Sequence, residues 1–87
     1  MELELPIIKT GQIYKHYKGC YYEVMGFATH SETNESMVLY RRADMSEPRI
    51  WARPQKMWLE RVIVNNVEMF RFTLAKLDEQ EMVYAHI

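Results

Sequence analysis

The feature that most constrains this chain is a succession of short β-branched and aromatic runs separated by turn signals, two of which are only two residues long. Gln12-Ile13-Tyr14-Lys15-His16-Tyr17 meets Cys20-Tyr21-Tyr22-Glu23-Val24-Met25 across Lys18-Gly19, and Leu59 to Val64 meets Val67 to Phe72 across Asn65-Asn66. Glycine and asparagine tolerate the positive φ that tight hairpins need, so both junctions predict antiparallel pairs. Period two puts Tyr22, Val24 and Ala28 on one face of the second strand and Tyr21, Glu23, Met25 and Phe27 on the other. Gly26 interrupts that strand and predicts a bulge or a bend.

A polar loop, Thr29 to Glu35, precedes a third strand at Ser36 to Arg42. Asp44 to Pro48 is turn-like, Arg49 to Arg53 is a short strand, and Pro54 ends it or opens one helical turn through Gln55-Lys56-Met57. About five short strands with tight turns and one helical turn before the last hairpin predict a mainly all-β fold. The expected architecture is a small SH3-like β-barrel over residues 11–72, after an N-terminal segment at 1–10 and before a C-terminal extension at 73–87. Closure would also remove exposed strand edges. In the extension, Leu74, Leu77 and the acidic run Asp78 to Glu81 suit a short helix, while Met82 to Ile87 is apolar enough for another strand. Both assignments stay open, as does docking of the tail on a second copy of the chain.

Composition narrows the function classes. With 87 residues, 48% of them hydrophobic and 26% charged, the chain supports one core and neither a disordered tail nor a cleft between domains. No apolar run approaches the roughly 18 residues of a membrane span. A lone Cys20 and an amino terminus without a basic-then-apolar pattern lead us to expect a cytoplasmic protein. The net charge of −1 hides acidic ends around a middle whose excess lies within residues 41–61, where Arg41, Arg42, Arg49, Arg53, Lys56 and Arg61 outnumber Asp44, Glu47 and Glu60. That is too little for duplex DNA, yet enough for a local anion site.

Enzyme signatures are weak. No phosphate-binding Gly-x-x-x-x-Gly-Lys-Ser/Thr loop is present, and Gly11, Gly19 and Gly26 are too dispersed for a dinucleotide fingerprint. His16, Cys20 and His30 lack the close pairs of a zinc site, so neither metal nor cofactor is expected. The His30-to-Glu35 loop holds a histidine, two carboxylates and two hydroxyls. It reads either as a self-bonded polar turn or as the site of a small hydrolase or ligand-modifying enzyme in which His30 and Glu32 act as acid and base. Trp51 lies two residues from Arg53, and Tyr40 adjoins Arg41 on the preceding strand. Rings beside guanidinium forks are what stacked bases, phosphates and protein partners engage.

The ordered series His16-Tyr17-Lys18-Gly19, Tyr22-Glu23-Val24, His30-Ser31-Glu32-Thr33-x-Glu35, Val38-x-Tyr40, Trp51-x-Arg53-Pro54 and Arg71-Phe72 resembles a small, mostly bacterial domain family of unknown function. The resemblance spans Gly11 to Phe72. It implies that His16, Lys18, His30, Glu32, Thr33, Trp51 and Arg53 form the family's polar and aromatic signature, and it supplies no reaction. Trp58, Asn65-Asn66 and Met69-Phe70 depart from the pattern in turns and packing. With Tyr40 added, these residues are the candidate ligand site of a non-enzymatic binding module. The expected partner is a protein, or a single-stranded nucleic acid or nucleotide-like anion.

Overall fold

The computed structural model describes residues 7–46 and 48–84. Seven strands are present among them: β1 (Ile13–His16), β2 (Tyr21–Thr29), β3 (Ser36–Arg42), β4 (Trp51–Pro54), β5 (Arg61–Val64), β6 (Val67–Phe70) and β7 (Phe72–Leu74). A 3₁₀ turn at Gln55–Met57 follows β4, and a helix, α1 (Leu77–Tyr84), closes the described chain. Five strands form one antiparallel sheet in the order β4-β3-β2-β1-β7, while β5 and β6 pair only with each other.

The fold is therefore mainly β, as expected, but it comprises two sheets and not a closed barrel. The expected last hairpin is the source of the difference. Its second arm bends at Arg71, so that β6 pairs with β5 and β7 pairs with β1. The Arg71 N–H donates to the Glu60 carbonyl and its own carbonyl accepts from the Tyr17 N–H, both at 2.9 Å. One residue thus binds both sheets, and β4 and β7 remain the edges of the larger one.

Local chemistry explains the turns. Asn65 (φ 52°) and Asn66 (φ 65°) both adopt left-handed backbone, as a type I′ hairpin requires, and Val64 pairs directly with Val67. The first hairpin loop is three residues and not two: the His16 N–H donates to the Cys20 carbonyl across Tyr17-Lys18-Gly19, with Gly19 at φ 105°. A bulge does occur at Gly26, with the β2–β3 register slipping between Val24 and Gly26. It reverses the expected parity of the strand. Val24 lies opposite Tyr40 and Phe27 opposite Val38, so Phe27 joins the Val24 face and Ala28 leaves it.

Each face of the large sheet carries its own core. On one, Tyr14, Val24, Val38 and Phe72 pack around Trp58, which the 3₁₀ turn delivers fully buried. The Trp58 and Phe72 rings stack at 3.9 Å, with Tyr14 and Tyr40 edge-on to the indole. On the other, Ile13, Ala43 and Ala75 meet Val83 of α1. The extension is helical through Tyr84, which excludes the strand alternative over Met82 to Tyr84; residues 85–87 of that alternative lie outside the described residues. Its start is stabilised by Glu79, which accepts the Lys76 N–H (3.1 Å) in the manner of a capping box and the Tyr21 hydroxyl (2.7 Å). No helix of the described residues is long and apolar enough to cross a membrane.

Candidate functional site

The His30 loop consumes its own polar groups. The His30 N–H donates to the Glu35 carbonyl and the Asn34 N–H to the His30 carbonyl, each at 2.8 Å, while Asn34 takes φ 61° to close the turn. His30 Nδ1 accepts the N–H groups of Glu32 (3.2 Å) and Thr33 (3.3 Å), and Thr33 Oγ1 accepts that of Glu35 (3.2 Å). Backbone donors that would otherwise lack partners in a tight loop are thereby satisfied. Glu35 turns outward to Lys56 (3.2 Å), whose ammonium holds the carboxyl below its ordinary range with help from Thr33. Among the described residues, no hydrogen bond joins the His30 and Glu32 side chains. Nor does any hydrogen bond, ion pair or ring contact link His30, Glu32 or Thr33 to Tyr40, Trp51 or Arg53.

Strand pairing assembles a different cluster. Tyr40 opposes Trp51, Val38 opposes Arg53, Tyr22 opposes Arg42 and His16 opposes Phe72, so all their side chains share the Trp58 face. Tyr22 is the hub: its ring lies edge-on to Tyr40 (5.4 Å), His16 (6.1 Å), Trp51 (6.2 Å) and Phe72 (5.8 Å). His16, Tyr22, Tyr40 and Trp51 are half-buried at the rim of the core, and Phe72 is buried beneath them. Burial raises the Tyr40 phenol, partly offset by Arg53 and Arg71, and burial also raises Tyr22.

Arginine enters this rim from two directions. Arg71, held by the bend between β6 and β7, places Nε 2.8 Å from Glu60 Oε1. Arg53, from β4, places a terminal nitrogen 3.8 Å from the same oxygen, outside hydrogen-bond range. One carboxylate therefore stands between two guanidinium groups, and all three side chains are only about a quarter exposed, at 22%, 24% and 30% for Arg53, Arg71 and Glu60. His16 is the third basic group. Burial lowers its pKa first, and the positive charges of Arg71, Lys18 and Arg53 lower it further. Its Nδ1 accepts the Lys18 N–H (3.2 Å), and Lys18 and Arg71 both stand over the Tyr17 ring.

Of the residues singled out in the sequence, His16, Lys18, Tyr40, Trp51 and Arg53 thus lie on one connected surface, whereas His30, Glu32 and Thr33 form a separate, self-contained loop. Sequence reasoning missed Tyr22, Glu60 and Arg71. Tyr22 was legible in principle, since strand parity sets it beside Val24. The Glu60–Arg71 pair was not, because it depends on the bend that moves the chain between sheets. Among the described residues no three His, Cys, Asp or Glu side chains gather as a metal site would require.

Comparison with known proteins adds a family. Residues 12–74 match the model of a family described as a protein of unknown function, DUF1653. This chain belongs to the DUF1653 family. A crystal structure of a DUF1653 protein from Bordetella bronchiseptica is 32% identical, with a TM-score of 0.63 over 75% of this chain and 83% of that one. No curated protein matches the chain. The DUF1653 match contains β1 to β7, and so the whole aromatic and arginine surface, and it stops before α1.

Proposed function

We propose that this DUF1653 chain is a non-enzymatic binding module whose aromatic-arginine face receives an anionic group beside a planar or apolar one. The observation that carries the reading is the placement of Arg53 and Arg71 around one carboxylate, next to the rims of Trp51, Tyr40 and Tyr22. Arg53 has donors not spent on Glu60, and a guanidinium fork fits carboxylate or phosphate with two parallel bonds. The neighbouring rings provide a stacking or apolar contact that orients the rest of the ligand. A protein segment with an acidic side chain, or a single-stranded nucleic acid or nucleotide, offers that pair of groups. The acid-base reading of His30 and Glu32 has less support, since His30 Nδ1 is already an acceptor for two N–H groups of its own loop.

Titration of the isotopically labelled protein with three probes tests the proposal: a thymidine hexanucleotide, thymidine 5′-monophosphate and an acidic peptide. At least one probe shifts the Trp51 indole and the Arg53 side-chain signals, and Arg53→Ala and Trp51→Ala weaken it. Retention of wild-type affinity in both folded variants, for every probe that binds, defeats the reading.

A further inference from the structure

The surface around Arg53 continues as a strip. Tyr17, His16, Tyr22 and Trp51 make an unbroken run of ring contacts, with successive centroids 4.5, 6.1 and 6.2 Å apart. Cations alternate with these rings: Lys18 stands 5.8 Å and Arg71 5.9 Å from the Tyr17 ring centre, and Arg42 5.8 Å from that of Tyr22. With Arg49, 5.8 Å from the Trp51 ring centre, and Arg53, five cations among the described residues line the strip against two carboxylates. Asp44 is committed to Arg42 (2.7 Å) and to the Tyr21 N–H (3.2 Å), so Glu60 is the acid that occupies the arginine pair. Among the large aliphatic side chains most open to solvent, Ile63 and Val67 lie on the β5–β6 hairpin and Leu77 and Met82 on α1, whereas Ile7 precedes β1 and Ile50 adjoins Trp51.

From this arrangement we infer that the ligand is a short single-stranded nucleic acid, one phosphate of which takes Arg53 and Arg71 in place of Glu60 while its bases lie along the Trp51, Tyr22 and Tyr17 rings. The inference rests on the binding-module reading and names its ligand. Three features carry the inference: the first favours it over a peptide, the second over a duplex, and the third locates the anion. Repeated rings interleaved with cations match the repeat of base and phosphate, whereas a protein contact concentrates its energy in one desolvated apolar centre. The local excess of charge is small, which suits a few phosphates of a single strand and not the dense charge of a duplex. Glu60 also marks where the anion sits: its oxygen is 2.8 Å from Arg71 but 3.8 Å from Arg53, so the pair is incompletely filled by the protein's own carboxylate.

Fluorescence anisotropy of a labelled thymidine hexanucleotide with the full chain tests this. Arg53→Ala and Trp51→Ala should each weaken binding roughly tenfold or more, as expected for loss of one base stack or phosphate contact. Glu60→Gln should tighten it several-fold, an outcome that poor folding cannot imitate. Tyr17→Ala should weaken the hexanucleotide while leaving thymidine 5′-monophosphate unaffected. With one phosphate on Arg53 and Arg71, log affinity should fall with log salt at a slope of about −0.7.

Three results would overturn the inference: no hexanucleotide binding at low salt, a duplex bound as tightly as the single strand, or weaker binding by Glu60→Gln. If an acidic peptide binds through Arg53 and Trp51 and the hexanucleotide does not, the nucleic-acid inference fails and the binding module stands. If neither substitution alters any bound probe, both fail.

Discussion

The His30 loop and the Trp51-Arg53 segment carry similar promise as sequence motifs, each mixing polar side chains at short spacing, yet they end in opposite conditions. In the loop, donors and acceptors lie within five residues of one another and bind each other. In the segment, neighbours come from β1, β2, β3 and the bend after β6, and at least one guanidinium keeps unspent donors. Proximity in sequence favours self-satisfaction, because closing a short loop costs little entropy. Groups held apart on a rigid sheet cannot collapse onto each other, and those are the ones left for a ligand.

The largest effect should come from the support beneath the second region. Trp58→Ala removes the ring that packs Phe72 and Tyr40 and should cost about 3–5 kcal/mol, read by urea unfolding. Trp58→Phe should cost much less and keep binding, because the buried indole N–H has no hydrogen-bond partner among the described residues, a penalty of about 1–3 kcal/mol that phenylalanine removes. Equal losses in the two variants would show that the N–H is not a burden.

Next, His30→Ala removes the acceptor of two backbone N–H groups and should cost about 1 kcal/mol, comparable with loss of a helix cap, without changing oligonucleotide affinity. A large loss of affinity would erase the contrast between the regions.

Smaller still is a pH effect at His16. Its folded pKa lies below the ordinary 6.5, so the unfolded chain takes up the proton first, and stability should fall as pH drops from about 6.5 toward the folded value. His16→Gln should flatten that part of the profile in thermal melts at successive pH values. Least of all, Lys56→Ala should leave the unfolding midpoint unchanged, since Lys56 and Glu35 pair at an exposed site. A clear drop would mean that the loop depends on the 3₁₀ turn and is not self-contained.

Where causes are local, the chain could be read directly. β3 spans Ser36–Arg42 and the 3₁₀ turn spans Gln55–Met57 as expected, the Asn65-Asn66 hairpin forms, and Gly26 marks a bulge. Each depends on φ preferences or residue type within a few positions. Local pattern and fold part where a local event has a distant consequence. Gly26 signals the bulge but not the reversal of side-chain parity beyond it, and Asn65-Asn66 signals the last hairpin but not the bend at Arg71.

By itself, then, the sequence determined a β-rich domain with polar and aromatic motifs in order along the chain, because strand periodicity and turn chemistry are short-range properties. Only tertiary structure decided which motifs meet. Antiparallel register brought His16, Tyr22, Tyr40 and Trp51 to one face, and the Arg71 bend set a guanidinium from 18 residues further along the chain beside the carboxylate that also faces Arg53. Pairing between strands far apart in sequence makes that decision, through hydrogen bonds that no local window contains.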